Sequence, residues 1–328
     1  MAVLVTGGAG YIGSHMVLAL LDAGETVVVL DNLSTGFRQA VGAAATFVLG
    51  DFGDEALVER VIAEHGVTAV AHFAAKIVVP DSVADPLGYY LNNTAKARSL
   101  LAATVKAGVR HFIFSSTAAV YGNASGGAVG EDAPLTPMSP YGRSKLMVEW
   151  MLADTAAAHD LRYVVLRYFN VAGADPAGRA GQSTRDATHL IKVAVQAALG
   201  RRPGLNIFGT DYDTPDGTCL RDYIQVSDLA QAHLDALAYL RAGGDNLTCN
   251  CGYSRGYSVR QVADVVRDMS GVDFPVTLAP RRPGDPAAIV ADNARIRAVL
   301  GWQPRYDDLA GIVTQALDWE RRLHNRQP

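Results

Sequence analysis

Tyr141 and Lys145 are the first residues whose types and spacing suggest chemistry. They lie four positions apart in the stretch SPYGRSKL, where the Ser-Pro pair predicts a helix start that places both side chains on one face. A phenol has an ordinary pKa near 10, so it becomes a useful base at neutral pH when nearby positive charge stabilises its anion. Taken alone, the spacing is also typical of an exposed helix pair, so its interpretation depends on the residues around it.

The hydroxyl of Thr117 is predicted to face this pair. The apolar run FIF leads into SSTAAVYG, which places Thr117 at the carboxyl end of a strand. Ligands of open parallel sheets bind at that edge. Thr117 could donate a hydrogen bond to a substrate oxygen while Tyr141 accepts its proton. The three side chains therefore predict removal of a proton from an alcohol as its hydride leaves, which requires a hydride acceptor.

A glycine-rich turn predicts that acceptor to be a dinucleotide. In TGGAGYIG, Gly7, Gly10 and Gly13 lie between the first strand and an apolar helix, where they let a pyrophosphate approach backbone amides at the helix N-terminus. A plain packing turn could also use glycine. The second strand, however, ends in Asp31, where the hydroxyls of the adenosine ribose would lie. Its carboxylate would repel a phosphate there, and the next arginine is Arg38, so NAD is favoured over NADP.

Asp51 and Phe52 follow the third predicted strand, ATFVLG. At that position they could flank the adenine of a dinucleotide. An aspartate that caps the following helix is an equally good interpretation of Asp51 from sequence alone.

The elements that would position these residues form an α/β pattern. Through residues 1–170, apolar β-branched runs alternate with helical segments, which predicts a Rossmann-like, doubly wound parallel sheet. Turn-rich segments over 171–328 predict a smaller α/β domain for the substrate, while residues 221–240 are predicted to return to the first sheet. The cleft between the two domains is the expected ligand site.

Composition restricts the partners and the compartment. The net charge of −4 leaves no basic stripe for a phosphate backbone, so nucleic acid is not expected as a partner. Three cysteines without metal-ligand spacing argue against a disulfide framework and against structural zinc or another bound metal, and they fit a reducing cytoplasm. The start MAVLVTGG has neither the pattern of a signal peptide nor that of a membrane span, so no membrane association is expected.

Motifs along essentially the whole chain resemble the extended short-chain dehydrogenase/reductase family, and within it the epimerases of nucleotide sugars. They occur in the family's order: VLVTGGAGYIGSH, LDNLS, HFAA, FIFSSTAAVYG, SPYGRSKLMVE, LRYFNVAGADP, IFGTDYDTPDGTCLRDYIQVSDLA and RRPGDPAAIVAD. The resemblance implies an NAD-dependent 4-epimerase that interconverts UDP-glucose and UDP-galactose through a 4-keto intermediate, working as a homodimer.

The resemblance also implies a role for each matching residue. Tyr141 would be the base, Lys145 would bind the nicotinamide ribose and lower the pKa of Tyr141, and Thr117 would bind the substrate hydroxyl. Besides Tyr141 and Lys145, the expected NAD contacts are Gly7, Gly10, Tyr11, Ile12, Gly13, Asp31, Asn32, Asp51, Phe52, Phe73, Ala74, Asn93 and Phe169. The expected contacts to the UDP-sugar, besides Thr117, are Asn170, His189, Leu190, Asn206, Phe208, Arg221, Arg282 and Asp285.

Several positions depart from the family pattern and leave the sugar open. His189 stands where Asn is frequent, Lys192 where Pro is common, and Ile77 where some members have a lysine that contacts the cofactor. Ile289 stands where members vary between Tyr and small residues. UDP-xylose with UDP-arabinose, or UDP-N-acetylhexosamines, are therefore alternative substrates, and a non-catalytic NAD-binding regulator is a remote alternative. A dehydratase is disfavoured because Ala118 and its neighbour Ala119 offer no acid beside Thr117.

Overall fold

The computed structural model describes residues 1–123, 127–282 and 285–326, and strands supply its central scaffold. The strands are β1 (Ala2–Thr6), β2 (Thr26–Asp31), β3 (Thr46–Leu49), β4 (Val67–His72), β5 (His111–Thr117), β6 (Ala128–Val129), β7 (Arg162–Tyr168), β8 (Asn170–Ala172), β9 (Leu205–Phe208), β10 (Leu220–Gln225), β11 (Leu247–Cys251), β12 (Gly256–Ser258), β13 (Val276–Ala279) and β14 (Ala288–Ala291).

Seven strands form the main sheet in the order β11-β7-β5-β4-β1-β2-β3, and every pairing in it is parallel. The strands are continuous apolar runs because helices cover both faces, and all five residues of β1 are buried. This is the Rossmann strand order, whose direction reverses between β1 and β4 and opens a crevice at their carboxyl ends. The predicted doubly wound parallel sheet is therefore confirmed.

Helices cover both faces of this sheet. On one face α1 packs against α8, with Met16 and Leu20 fully buried, and on the other α2 packs against α5, with Val58 and Leu100 fully buried. The helices are α1 (Tyr11–Asp22), α2 (Glu55–His65), α3 (Val79–Ala84), α4 (Pro86–Tyr89), α5 (Lys96–Lys106), α6 (Pro140–Ala158), α7 (Leu190–Ala198), α8 (Val226–Arg241), α9 (Val259–Ser270), α10 (Ala294–Leu300) and α11 (Leu309–Arg326), with a π-helical segment over Tyr90–Ala95 and single 3₁₀ turns at Arg38–Ala40 and Ala118–Val120.

Two smaller sheets lie outside the main one. One has the order β12-β10-β14-β6, with β8 also paired to β10, and the other joins β13 to β9. Within the predicted returning segment, β10 pairs with β8, β12 and β14, whereas α8 packs on the main sheet. The strand that joins the main sheet after residue 171 is β11, which sequence patterns did not indicate. The division into 1–170 and 171–328 stays a prediction.

Within the described ranges, none of the helices is both long and apolar enough to cross a lipid bilayer. Cys219, Cys249 and Cys251 are all buried and carry free thiols.

Candidate active site

The start of α6 holds Tyr141 close to the end of β5. Ser139 accepts a hydrogen bond from Gly142 N at 3.1 Å through its hydroxyl, and Pro140 occupies the first turn, which together begin the helix at this point. A side chain at Gly142 would place its Cβ 2.6 Å from the carbonyl oxygen of Ala119. Glycine therefore lets α6 approach the loop that follows Thr117, and the predicted catalytic residues lie on these two elements.

The Tyr141 phenol is buried and lies beside Thr117. Burial raises the pKa of Tyr141, and the neighbouring Tyr168 acts in the same direction, whereas a hydrogen bond with the Thr117 hydroxyl lowers it. Thr117 is itself buried, and its Oγ1 also accepts a hydrogen bond from Ala119 N at 3.2 Å. The structure thus brings two of the three predicted catalytic groups together. Burial of the Tyr141 phenol stabilises its protonated form.

Lys145 lies one turn further along α6, with its ammonium against β5. Its Nζ donates to the Ser115 carbonyl at 2.8 Å and lies 4.7 Å from the centre of the Phe114 ring. Burial lowers the pKa of Lys145 to about 7, and the charge of Glu149 acts in the opposite direction. In this arrangement the group that lowers the pKa of Tyr141 is Thr117. The expected effect of Lys145 on the phenol stays a prediction.

The glycine turn after β1 is packed closely against neighbouring backbone. Gly7 has φ +74°, and a Cβ there would lie 2.6 Å from Ala74 N, so both the backbone conformation and the close approach require glycine. A Cβ at Gly13 would lie 2.2 Å from the Gly7 carbonyl oxygen. Gly10 caps α1 without a side-chain hydrogen bond, which leaves the first amides of the helix to other acceptors. These residues fit the predicted dinucleotide.

Asp31 is held at the end of β2 by two backbone donors. Its Oδ2 accepts from Ala9 N at 3.0 Å and its Oδ1 from Leu33 N at 2.8 Å, so the buried carboxylate is fixed beside the glycine turn. Each oxygen retains a lone pair that could accept a ribose hydroxyl. The position fits the adenosine ribose of NAD.

Asp51 lies next to Asn32 at the neighbouring strand end. It forms an ion pair with Lys96 at 2.5 Å, accepts from Gly53 N at 2.8 Å, and is 3.4 Å from Asn32 Nδ2. Burial raises the pKa of Asp51, but the hydrogen bonds from Lys96 and Gly53 outweigh this effect and lower it overall. Asp51 does not cap α2, because the side chain that accepts from the helix is that of Asp54.

The other predicted NAD contacts differ in how their side chains are engaged. Phe52 packs into the core against His72 at 5.0 Å between ring centres. Asn93 bonds the backbone of Lys76 through both its oxygen and its nitrogen, and so supports the loop after β4. The Tyr11 hydroxyl donates to Gly173 O at 2.7 Å, and Ala74 contributes backbone next to Gly7. The remaining predicted contacts pack near the glycine turn or the end of β5: Ile12, Phe73 and Phe169.

Three predicted substrate contacts line one small cavity. Asn170 at the start of β8, with His189 and Leu190 at the start of α7, contribute to its wall together with Gln182 and Lys192. The Gln182 side chain is 2.8 Å from His189 Nδ1, which fixes the imidazole at this wall, and burial lowers the pKa of His189. The departure from Asn to His therefore falls where the cavity meets α7.

Four other predicted substrate contacts form a second cluster. The Arg282 guanidinium stacks over the Phe208 ring at 4.6 Å and pairs with Asp285 at 2.9 Å, and Arg221 lies 4.0 Å from the same carboxylate. Asn206 lies two residues before Phe208 on β9 and is exposed. Such a pair of arginines, held by one carboxylate and one ring, suits a diphosphate.

Strand β10 connects these two clusters. Tyr223 on β10 pairs with Asn170, while Arg221 pairs with Ile289 on β14. Ile289 in turn is buried in one apolar cluster with Ala118, which follows Thr117. The catalytic, sugar and diphosphate positions predicted from sequence are therefore linked through one strand and one apolar cluster.

With this geometry described, comparison with known proteins identifies the family. The model of the NAD dependent epimerase/dehydratase family matches residues 3–252, which is most of the chain. The chain belongs to this family. Family membership confirms the resemblance that the motifs indicated, and it also confirms NAD as the cofactor, because the glycine turn and Asp31 provide the site that the family's NAD dependence requires.

Individual epimerases of the family are similar over nearly their whole length. A UDP-glucose 4-epimerase of Azospirillum brasilense is 61% identical over 98% of this chain and 92% of its own length. The crystal structure of a Brucella ovis UDP-glucose 4-epimerase with NAD has 46% identity, 97% coverage of both chains and a TM-score of 0.94. That of a Bifidobacterium longum UDP-glucose 4-epimerase with NAD+ and UDP has 36% identity, 99% coverage of both chains and a TM-score of 0.94. These similarities confirm the Rossmann-like α/β fold.

Sequence reasoning missed a buried ion pair that begins one helical turn beyond Lys145. Glu149 and Arg167 form an ion pair with both side chains less than a tenth exposed, and Ser116 donates to the same carboxylate at 2.5 Å. Two signals were present. Glu149 continues the helical face of Tyr141 and Lys145 at the same four-residue spacing, and Arg167 interrupts the apolar strand YVVLRY, where a charge must find a partner.

Proposed function

We infer that this chain is an NAD-dependent 4-epimerase of UDP-hexoses, which interconverts UDP-glucose and UDP-galactose. The UDP-glucose 4-epimerases to which it is similar over nearly the whole chain support the activity. The observation that carries the assignment of chemistry is the buried contact between Tyr141 and Thr117 on the sheet edge that also carries the glycine turn. A hydroxyl bound there would meet a donor and a base together.

We propose that Thr117 orients the C4 hydroxyl of the sugar and that Tyr141 takes its proton and later returns it. NAD, when bound, supplies the chemistry of accepting and returning the hydride. Tyr141 needs positive charge to act as a base because its surroundings favour the neutral phenol. Lys145 is the ammonium one turn away and would supply part of that charge. Inversion follows if the 4-keto sugar turns over before the hydride returns to its other face.

The proposed reaction requires a firm hold on the nucleotide and a loose hold on the sugar. Arg221, Arg282 and Phe208 would hold the UDP part. Asp285 pairs with both guanidinium groups and the Phe208 ring stacks against that of Arg282, so these groups are oriented before a ligand binds. Beside Thr117, by contrast, Ala118 and Ile289 belong to one buried apolar cluster. An apolar wall gives the 4-keto sugar few hydrogen bonds to break when it turns.

The choice of sugar is tested by comparing substrates. The full chain, supplied with NAD, is incubated separately with UDP-glucose, UDP-xylose and UDP-N-acetylglucosamine, and the ratio of C4 epimers is followed by NMR. We expect UDP-glucose to reach equilibrium with UDP-galactose faster than the other two sugars react. Faster reaction of UDP-xylose or UDP-N-acetylglucosamine would support the alternative substrates, and absence of inversion in all three would leave the non-catalytic regulator.

We propose that the chain works as a homodimer in a reducing, cytoplasmic setting. An apolar surface supports the dimer: Val83, Leu87, Leu91 and Trp150 are each more than half exposed on α3, α4, the π-helical segment and α6, which pack against one another. A surface of this kind on adjacent helices is typical of an interface. The free, buried thiols of all three cysteines support the compartment.

A further inference from the structure

Three consecutive residues at the end of β5 hold the active-site face of α6. The Ser115 carbonyl accepts from Lys145 Nζ, the Ser116 hydroxyl donates to Glu149, and Thr117 lies beside Tyr141. Tyr141, Lys145 and Glu149 are spaced four residues apart on α6, so each of three successive helical turns is tied to a different one of these strand residues. Of the three α6 residues, Glu149 is the one that has no role in the proposed reaction.

Glu149 is fixed more rigidly than a surface carboxylate. Arg167 on β7 donates to both carboxylate oxygens, with Nη2 at 2.6 Å and Nε at 3.2 Å. The guanidinium is held in turn by the Tyr121 hydroxyl at 3.0 Å, which donates to Asn250 at 2.7 Å. A network this fully hydrogen-bonded gives the carboxylate one position and pairs it with the Arg167 guanidinium in a buried place.

Lys145 has few other groups that could stabilise its charge. Its direct partners are the Ser115 carbonyl and the Phe114 ring. The titratable groups around it are Tyr141 and Glu149 on α6, His72 on β4 and Tyr168 on β7. His72 is neutral at this site because burial and the charge of Lys145 lower its pKa, and burial keeps both phenols protonated. Among the described residues, the negative charge that acts on the ammonium is therefore that of Glu149, which is itself paired with Arg167.

We propose that Glu149, locked in place by Arg167 and Ser116, is a positioning residue whose charge favours the protonated form of Lys145. The inference rests on the proposed function only for its purpose, since a charged Lys145 is what would help Tyr141 to ionise. An ammonium that is removed from water loses its proton unless an opposite charge stays nearby. Glu149 lies one helical turn beyond Lys145, so it supplies that charge without forming the direct ion pair that would pull the ammonium away from the active site.

The chain has five lysines, which makes a direct measurement of Lys145 practical. The full protein is produced with carbon-13 lysine and used as purified. The Cε signal of Lys145 is identified by its loss in Lys145→Arg and followed by NMR as a function of pH. We expect the titration midpoint to fall by about one unit or more in Glu149→Gln, which keeps the shape and removes the charge. An unchanged midpoint would overturn the proposal.

Two further variants separate charge from folding. Glu149→Gln leaves Arg167 buried without its partner, so Glu149→Gln combined with Arg167→Met provides a second route, and its Lys145 midpoint must also lie below that of the wild type. Glu149→Asp keeps the charge and should bring the midpoint back towards the wild-type value. A wild-type midpoint in the double variant, or equal midpoints in Glu149→Asp and Glu149→Gln, would contradict a role for the charge.

Glu59→Gln is the matched control. It removes the carboxylate paired with the exposed Lys106 and leaves the surroundings of Lys145 intact, so the midpoint of Lys145 should not move. Because no sugar is added and no turnover is measured, the result does not depend on the epimerase activity. A failed epimerase assay and a failed titration can therefore be told apart.

Discussion

The carboxylate of Asp31 offers the sharpest test of cofactor recognition at the level of a single residue. It is buried and anchored by Ala9 N and Leu33 N, so it is already in place before a ligand binds. We expect Asp31→Asn to weaken NAD binding about tenfold or more, because a charged acceptor for the ribose hydroxyls is lost. Calorimetric titration with NAD measures this, with the exposed helix-cap variant Asp54→Asn as control. Equal NAD affinity in Asp31→Asn and the wild type would exclude the proposed contact.

Lys145 links the active site to stability. Burial lowers its pKa to about 7, below the ordinary value of 10.5, so between these two pH values the unfolded chain binds a proton that the folded chain lacks. The resulting cost to stability is complete below about pH 7 and disappears as the pH rises towards 10.5. We expect Lys145→Met to raise the free energy of unfolding by about 2 kcal/mol at neutral pH, with a smaller gain at higher pH.

Urea unfolding of the wild type and Lys145→Met at about pH 7 and about pH 9.5 measures this difference. Because other groups titrate equally in both proteins, the change in the difference between them reports on Lys145. Lys106→Met serves as control, since Lys106 is exposed on α5. A gain in Lys145→Met that grows with pH would contradict the depressed pKa.

Among the secondary-structure elements, α7 and α11 are joined by a buried ion pair. Lys192, at the position where the family commonly has proline, pairs with Glu320 and also donates to the Gln182 carbonyl at 2.6 Å. Glu320 is further bonded by Gln196 at 3.1 Å and Arg201 at 2.9 Å. Because Gln182 also fixes His189, this ion pair connects the C-terminal helix to the wall of the predicted substrate cavity.

We expect Lys192→Ala to lower the free energy of unfolding by about 3 kcal/mol, since it leaves a buried carboxylate with part of its partners missing. Replacing both residues, as in Lys192→Met with Glu320→Gln, should cost less than the single change, because the unpaired charge is removed as well. The exposed pair of Arg321 and Asp318 provides the control, and Arg321→Ala should change stability by less than about 0.5 kcal/mol. A double variant less stable than Lys192→Ala would refute the argument.

How far the sequence predicts the structure differs from element to element. The strands β1, β2, β4 and β5 are continuous apolar runs bounded by glycine or polar residues, so their pattern alone predicts a sheet and its ligand edge. β11, with the sequence LTCNC, lacks such a run. Its buried Asn250 bonds the carbonyl of Val129, which is distant in sequence, so local pattern could not predict this edge strand. The same holds for the site: motifs predicted Tyr141 and Thr117, whereas the pairing of Glu149 with Arg167 depends on tertiary structure.

At the scale of the whole molecule, the apolar surface of α3, α4 and α6 predicts self-association. Leu87 is 78% and Trp150 57% exposed, which is unusual for large apolar side chains on neighbouring helices. We expect the wild type to be a dimer by light scattering and Leu87→Glu to shift it to a monomer, because a charge would be buried at the interface. Leu49→Glu alters a similarly exposed leucine on β3 and should leave the dimer intact. A monomeric wild type would contradict the proposed assembly.

The central claim is that Tyr141 moves the proton in a reversible oxidation of the sugar, and Tyr141→Phe tests it most directly. The variant keeps the ring and its packing but cannot exchange a proton, so we expect the rate of UDP-galactose to UDP-glucose conversion to fall by about 10²-fold to 10⁴-fold, with UDP binding retained. Tyr163→Phe, which changes a half-buried tyrosine on β7, should keep wild-type activity. Undiminished conversion by Tyr141→Phe would contradict the account.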